Sequence, residues 1–133
     1  MPTQVILDNE DATLWFHPET KVVHHFVKRY IHGQALHDVL EKGAGVMEKH
    51  RATKWLSDDR NNGALSPDDE KWGKEVWFPR ALKAGWKHWA IVQPAKIVGQ
   101  LNIKRFKETY AQAGVNAAMF SDPDEATIWL QTQ

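Results

Sequence analysis

"KHWAIVQP", residues 87–94, is the stretch that decides the fold. Residues 89–92 form an unbroken apolar run with no polar alternation. Such a run suits a strand buried on both faces, the kind that sits inside a parallel sheet covered by helices. Helical patterns flank it. Before it, a helix is expected from Pro67, with Trp72 and Val76 as apolar positions and Trp77 adjacent. Pro79 lacks an N–H and crowds the preceding turn, so a kink or break is expected there, with Phe78 biased out of the helical region. A short helical piece then runs to Lys83, with Gly85 as terminator. After the strand, residues 98–113 read as a helix with Leu101, Ile103, Phe106 and Tyr110 inward and Gly114 as its cap.

The same strand-then-helix unit recurs. "TKWLS", 53–57, is a short strand, and "VNAAMFSD", 115–122, holds the last one. "DPDEATIWLQ" closes the chain as a helix burying Ala126, Trp129 and Leu130. From Gly33 to His50 the apolar residues Leu36, Val39, Leu40, Ala44 and Met47 fall on one helical face. Gly43 and Gly45 weaken that helix by up to about 1 kcal/mol each, and let it lie close to a sheet. The beginning is strand-rich: "VILD", then "ATLWFHP" and "KVVHHFVKRYI" around the turn "PET". The order β-β-β-α-β-α-β-α-β-α predicts an α/β fold. Residues 1–133 are expected to form a single domain, a mixed, mostly parallel sheet flanked by helices.

Composition narrows the function. Of 133 residues, 42% are apolar, and 17 basic residues balance 17 acidic ones. That balance argues against a nucleic-acid partner, which needs a clustered basic surface, and against an anionic membrane surface. The chain has no cysteine, which excludes disulfides, thiolate catalysis and Cys-bound zinc. The start, "MPTQVILDNEDATLW", lacks the basic and apolar regions of a secretory signal. No run reaches the roughly 20 apolar residues of a membrane span. A soluble cytoplasmic protein without membrane insertion is expected.

Among the seven histidines, His24 and His25 are adjacent in a strand and point to opposite faces. His32 and His37 are five apart, which does not align them on a helix. No H-E-x-x-H, G-x-S-x-G, Walker or G-x-G-x-x-G motif is present. No metal and no cofactor are therefore expected.

Two strands end in Ser-Asp: Ser57–Asp58 in "WLSD" and Ser121–Asp122 in "MFSD". Ligands of open α/β sheets bind outside the carboxyl ends of the strands. Ser57, Asp58, Asp59, Arg60, Asn61, Gln93, Ser121 and Asp122 are therefore the candidate rim. Ordinary turn and cap chemistry also accounts for such residues. "SPDDE" reads as a helix start: Ser66 caps, Pro67 takes the first helical position, and Asp69 closes a capping box. "DPDEA" repeats the device with Asp122, Pro123 and Glu125. Asp68, Asp69 and Glu70 thus read as capping residues. Trp72, Trp77, Phe78, Trp86 and Trp89 cluster around the kinked helix, either as core or as the lining of an apolar groove.

The element order, a hairpin followed by β-α units, resembles the STAS domain. That is the fold of the bacterial sporulation anti-anti-sigma factor and of its lipid-pocket relatives. The stretch "ATKWLSDDRNNGALSPDDEKWGKEVWFPRALKAGWKHWAIVQP" is similar to a small set of uncharacterised bacterial proteins with this fold. The resemblance implies a non-enzymatic, cytoplasmic regulatory or ligand-sensing module that binds a protein partner or a small ligand. In the sporulation regulators, a kinase modifies a Ser or Thr at the start of the helix after the strand that matches "TKWLS". Here that region is "SDDRNNGALSPDDE", without the Asp-Ser-Ser-Gly signature. Ser66 matches by helix position and Ser57 by the preceding strand, so these are the phosphorylation candidates.

Binding is expected at the rim from Asp58 to Ser66, with Ser121 and Asp122. Arg60 would pair with an anion or a partner acid, and Trp72 and Trp77 would anchor a partner or shape a pocket. Two rivals stand beside this reading. A carrier of a small hydrophobic, lipid-like ligand needs an apolar cavity beneath the kinked helix. A small enzyme on the Asp/Ser rim needs titratable groups within hydrogen-bond reach of one another. An exposed edge strand would allow a homodimer.

Overall fold

The computed structural model describes residues 2–133. The chain opens with three antiparallel strands, β1 (Gln4–Asp8), β2 (Ala12–His17) and β3 (Val22–Val27). The Asn9 side-chain oxygen closes the first turn by accepting from the backbone N–H groups of Asp11 and Ala12. Next come α1 (Gly33–His50), β4 (Lys54–Asp58), α2 (Pro67–Trp72), a π-helical turn (Gly73–Trp77) and α3 (Phe78–Ala84). The chain finishes with β5 (His88–Val92), α4 (Ile97–Gln112), β6 (Asn116–Phe120) and α5 (Pro123–Gln131).

One six-stranded mixed sheet results, and its spatial order is the chain order, β1 through β6. The pairs from β3 to β6 are parallel. Each β-α-β connection therefore steps the same way. Right-handed crossovers then place α1, α2–α3 and α4 on one face, while α5 closes the other. β1 and β6 are the edges.

The core divides accordingly. The larger layer holds Leu14, Phe16, Val23, Trp55, Trp89 and Ile91 under the three crossovers. The smaller packs Val22, Leu56, Ala90 and Val92 against Ala126 and Leu130 of α5. Residues 89–92 are all buried, as the unbroken apolar run requires. Trp89 and Ile91 enter one layer, Ala90 and Val92 the other. Gly43 of α1 lies directly over Trp55: a Cβ there would overlap the six-membered ring. Here glycine buys the close approach of helix to sheet.

Four expectations need correction. Phe78 stays helical, at φ −60° and ψ −46°. The accommodation of Pro79 lies upstream, where the Phe78 N–H reaches five residues back to the Gly73 carbonyl. This wider turn relieves the clash that a proline ring makes with the carbonyl four residues before it. It also rotates the apolar face by one residue, so Trp77 is buried and Val76 is 54% exposed. On α4, Leu101 is 59% exposed, and the inward face is Gly99, Asn102, Phe106 and Tyr110. A buried polar Asn displaced the apolar residue that hydrophobicity alone favours. Trp129 is half-buried, tilted against Phe120 with ring centroids 5.8 Å apart.

The adjacent histidines of β3 do face opposite ways. His24 meets His17 across the hairpin, Nδ1 to Nε2 at 3.0 Å, and lies against Trp15. Burial, with the neighbouring His17 and His25 adding to it, holds His24 down to about 3 from the ordinary 6.5. The folded chain thus binds fewer protons at His24 than the unfolded chain. Its contribution to stability is present above pH 6.5 and is lost as pH falls from there toward 3. The expected loss at pH 5 is about 2 kcal/mol from this group. Urea midpoints at pH 7 and pH 5 check it: His24→Gln should show a smaller drop than the parent chain.

Candidate functional site

Strand alternation builds the site. On β3 the residues Val23, His25 and Val27 face the larger layer, and on β4 so do Trp55 and Ser57. Asp59 follows one residue past the end of β4. His25 and Ser57 are register partners across β3 and β4, so two polar side chains stand side by side on an apolar floor.

Their partners define a hydrogen-bonded chain. The Trp55 indole N–H donates to His25 Nδ1 at 3.0 Å. His25 Nε2 in turn donates to Asp59 Oδ1 at 2.8 Å. The Trp89 indole N–H donates to Ser57 Oγ at 2.8 Å. An indole nitrogen only donates, so His25 Nδ1 must accept. The ring is therefore the neutral tautomer with its proton on Nε2. His25, Ser57 and Asp59 are all at least nine-tenths buried.

Above this floor, beneath the π-helical turn, lies a pocket of about 90 Å³. That is several times the roughly 10–15 Å³ one water needs. Gly73 and Trp77 of the turn form part of its wall. Trp77 meets Trp55 and Trp86 edge-on, with centroids 5.4 and 5.1 Å apart, and Trp86 meets Trp89 at 5.3 Å. Phe106 and Tyr110 of α4 complete the aromatic wall. Every indole N–H of these four tryptophans has an acceptor: Trp77 reaches the Leu40 carbonyl at 2.7 Å and Trp86 the His88 carbonyl at 3.1 Å. The rings are thereby held in fixed orientations. Burial raises the Tyr110 hydroxyl well above the ordinary phenol value, and no acceptor reaches it among the described residues. It stays protonated and borders the pocket.

Two of the three acids at the start of α2, Asp69 and Glu70, are cross-links, which corrects their reading as caps alone. Ser66 does cap, with Oγ accepting from the Asp69 N–H at 3.2 Å. The Asp69 carboxylate, however, turns away. It accepts from the Gly33 N–H at 3.0 Å and from His37 Nε2 at 3.1 Å, which ties α2 to the start of α1. His37 stacks flat on Trp72 with centroids 3.8 Å apart. Glu70 accepts from Asn102 and Arg105 of α4, while Asn102 Oδ1 accepts from the Leu65 N–H. Asp68 is exposed.

The expected rim splits between the two faces of the sheet. Ser57 and Asp59 border the pocket. Asp58 faces the other way and takes a two-pronged ion pair from Arg60, at 2.9 and 2.8 Å, with the guanidinium over Phe26. Arg60 is thus held by an acid of its own chain. Asn61 is exposed. Ser121 accepts from Gln93 at 3.1 Å, and Asp122 caps α5 through the Asp124 N–H. Among the described residues, no group of three or more His, Asp or Glu side chains converges as a metal site, and no helix is long and apolar enough to cross a membrane.

No family model, curated protein or solved structure matches this chain.

Residue patterns alone passed over His25, Trp55, Asp69, Asn102 and Tyr110. His25 did carry a signal, since it shares its strand face with Val23 and Val27 and so had to be buried with a partner. Asp69 carried none, because its acceptor role depends on groups 32 and 36 residues away.

Proposed function

We propose that this chain is a ligand-sensing domain of STAS-like architecture. Its small ligand enters the pocket between the sheet and the α2–α3 segment with its π-helical turn. The observation that carries this reading is the pocket itself: an aromatic chamber with a buried polar floor at the carboxyl end of β4. Ligands of open α/β sheets bind at that end, and π-helical turns such as the one roofing it recur at functional sites. The sequential strand order with one helix per crossover supports the architectural part of the reading.

Two further observations favour ligand over phosphate and over catalysis. Ser57 is 3% exposed and its hydroxyl holds the Trp89 indole, while Ser66 is engaged as a helix cap. A kinase has poor access to Ser57 in the folded domain, and modifying Ser66 would cost α2 its cap. Both ring nitrogens of His25 are occupied, so it has none left to activate Ser57 as a nucleophile. The loop after Asp59 offers an output. Asn62 accepts from the Ile31 N–H, and Tyr30 donates to the Ala64 carbonyl. A ligand drawing on Asp59 would shift this loop against α1 and alter a surface that a protein partner reads.

The test is a titration of short butyl compounds, followed through the indole N–H resonances of Trp77 and Trp89. At least one should shift both resonances saturably in the parent chain. Val39→Trp, which fills the pocket from α1, should abolish the shift while the fold persists. If no butyl compound of any charge shifts them, the pocket takes no ligand and the reading fails.

A further inference from the structure

We infer that the ligand is a small organic cation, an apolar body bearing one protonated amine or quaternary ammonium group. The inference rests on the pocket reading above and adds the chemistry of what fills it.

The first argument is the charge of the lining. Asp59 and Asp69 both border the pocket, and no Lys or Arg does. The Asp69 carboxylate is used up, with one oxygen on Gly33 and the other on His37. Asp59 is not. Its Oδ1 accepts from His25, whereas Oδ2 has no partner among the described residues. Asp59 is only 7% exposed.

The second argument is that nothing among the described residues neutralises Asp59. Trp55 forces His25 into its neutral tautomer by occupying Nδ1, so the imidazole supplies a hydrogen bond and no positive charge. The adjacent Arg60 faces the opposite side of the sheet and is paired with Asp58. A buried carboxylate without a counter-charge is costly, and a cation placed against it relieves that cost.

The third argument is the wall. Trp77, Trp86 and Trp89 line the space, and aromatic rings attract cations through their quadrupoles. An alkyl body would occupy the apolar volume under Trp77, while an ammonium N–H met Asp59 Oδ2. Tyr110 and Ser57 supply only hydroxyls, which do not compensate the repulsion that a carboxylate or phosphate ligand would meet from two acids.

The experiment uses three probes of one shape on the full chain: n-butylammonium, n-butanol and n-butyrate. Binding is read by calorimetry and by the indole N–H resonances. Butylammonium should bind at least about tenfold more tightly than butanol, and butyrate should not bind measurably. Asp59→Asn should bring butylammonium close to butanol while leaving butanol unchanged. Butanol binding as well as butylammonium in the parent chain overturns the cation assignment and leaves the pocket standing. Charge preference that survives Asp59→Asn also overturns it, because Asp59 is then not the counter-charge. Silence from all three probes removes the pocket reading and this inference together. Should Asp59→Asn fail to fold, the three-probe comparison on the parent chain still decides between cation and neutral ligand.

Discussion

Trp55→Ala is expected to lower the unfolding free energy by about 3–5 kcal/mol, the range for removing a buried aromatic side chain. Trp55 is 1% exposed. Its ring supports α1 at Gly43, meets Trp77 edge-on, and donates to His25. Against a total stability of roughly 5–15 kcal/mol for a domain, that loss is severe, and the urea midpoint should fall accordingly. A paired substitution gives the sharper check. In the parent chain, Gly43→Ala gains about 1 kcal/mol of helix propensity but drives its methyl into Trp55, at an overpacking cost of about 1–3 kcal/mol. In the Trp55→Ala background the methyl enters the space the ring has left, so Gly43→Ala should stabilise. The cycle should therefore show strong coupling, of order 1–3 kcal/mol. Additive midpoints would mean that α1 does not rest on that ring.

His25→Ala is the second large effect, expected at roughly 2–6 kcal/mol, because it orphans two buried groups at about 1–3 kcal/mol each. Removing the imidazole leaves the Asp59 carboxylate without its one donor and the Trp55 N–H without its acceptor, both in a buried setting. Each orphaned group costs its desolvation. Asp59→Asn should behave differently. An amide oxygen still accepts from His25 Nε2, so stability should stay within about 1 kcal/mol of the parent. Denaturant midpoints of the two variants check the order. If Asp59→Asn proves as damaging as His25→Ala, the chain from Trp55 to Asp59 is not held as described.

The two variants also separate structure from recognition. His25→Ala would weaken the fold and the pocket together. Asp59→Asn would keep the fold and lose the preference for a cation. On the proposed reading, a single residue past the end of β4 would carry recognition, while its neighbour on β3 carries the geometry.

Much of the architecture was legible along the chain. The apolar run at 89–92 marked a buried strand because both its faces needed cover. The glycine at 43 marked a close approach because no other feature of α1 required it. That Pro79 disturbs the helix was legible as well, since a missing N–H and a bulky ring are local facts. The form of the disturbance was not. Whether the helix bends, stops or widens into a π turn depends on what holds its flanks, and here Trp77 is held by the Leu40 carbonyl of α1. The strand-end rim was half legible. Its position at the strand ends was read, but as one set; the alternation of β4, which sends Ser57 and Asp58 to opposite faces, was not applied to it.

By itself the sequence determined the order of elements, the parallel character of the later strands and the helix starts at Ser66 and Asp122. All of these follow from local sterics and from the period of apolar residues. Tertiary structure alone decided the rest. The parallel pairings from β3 to β6, the turn of Asp69 toward Gly33, and the chain from Trp55 through His25 to Asp59 each join groups about thirty residues or more apart. Local pattern is silent about such pairings. The pocket is further still from the sequence, because it is the volume that side chains from β3, β4, the π turn and α4 leave unfilled when they pack against one another.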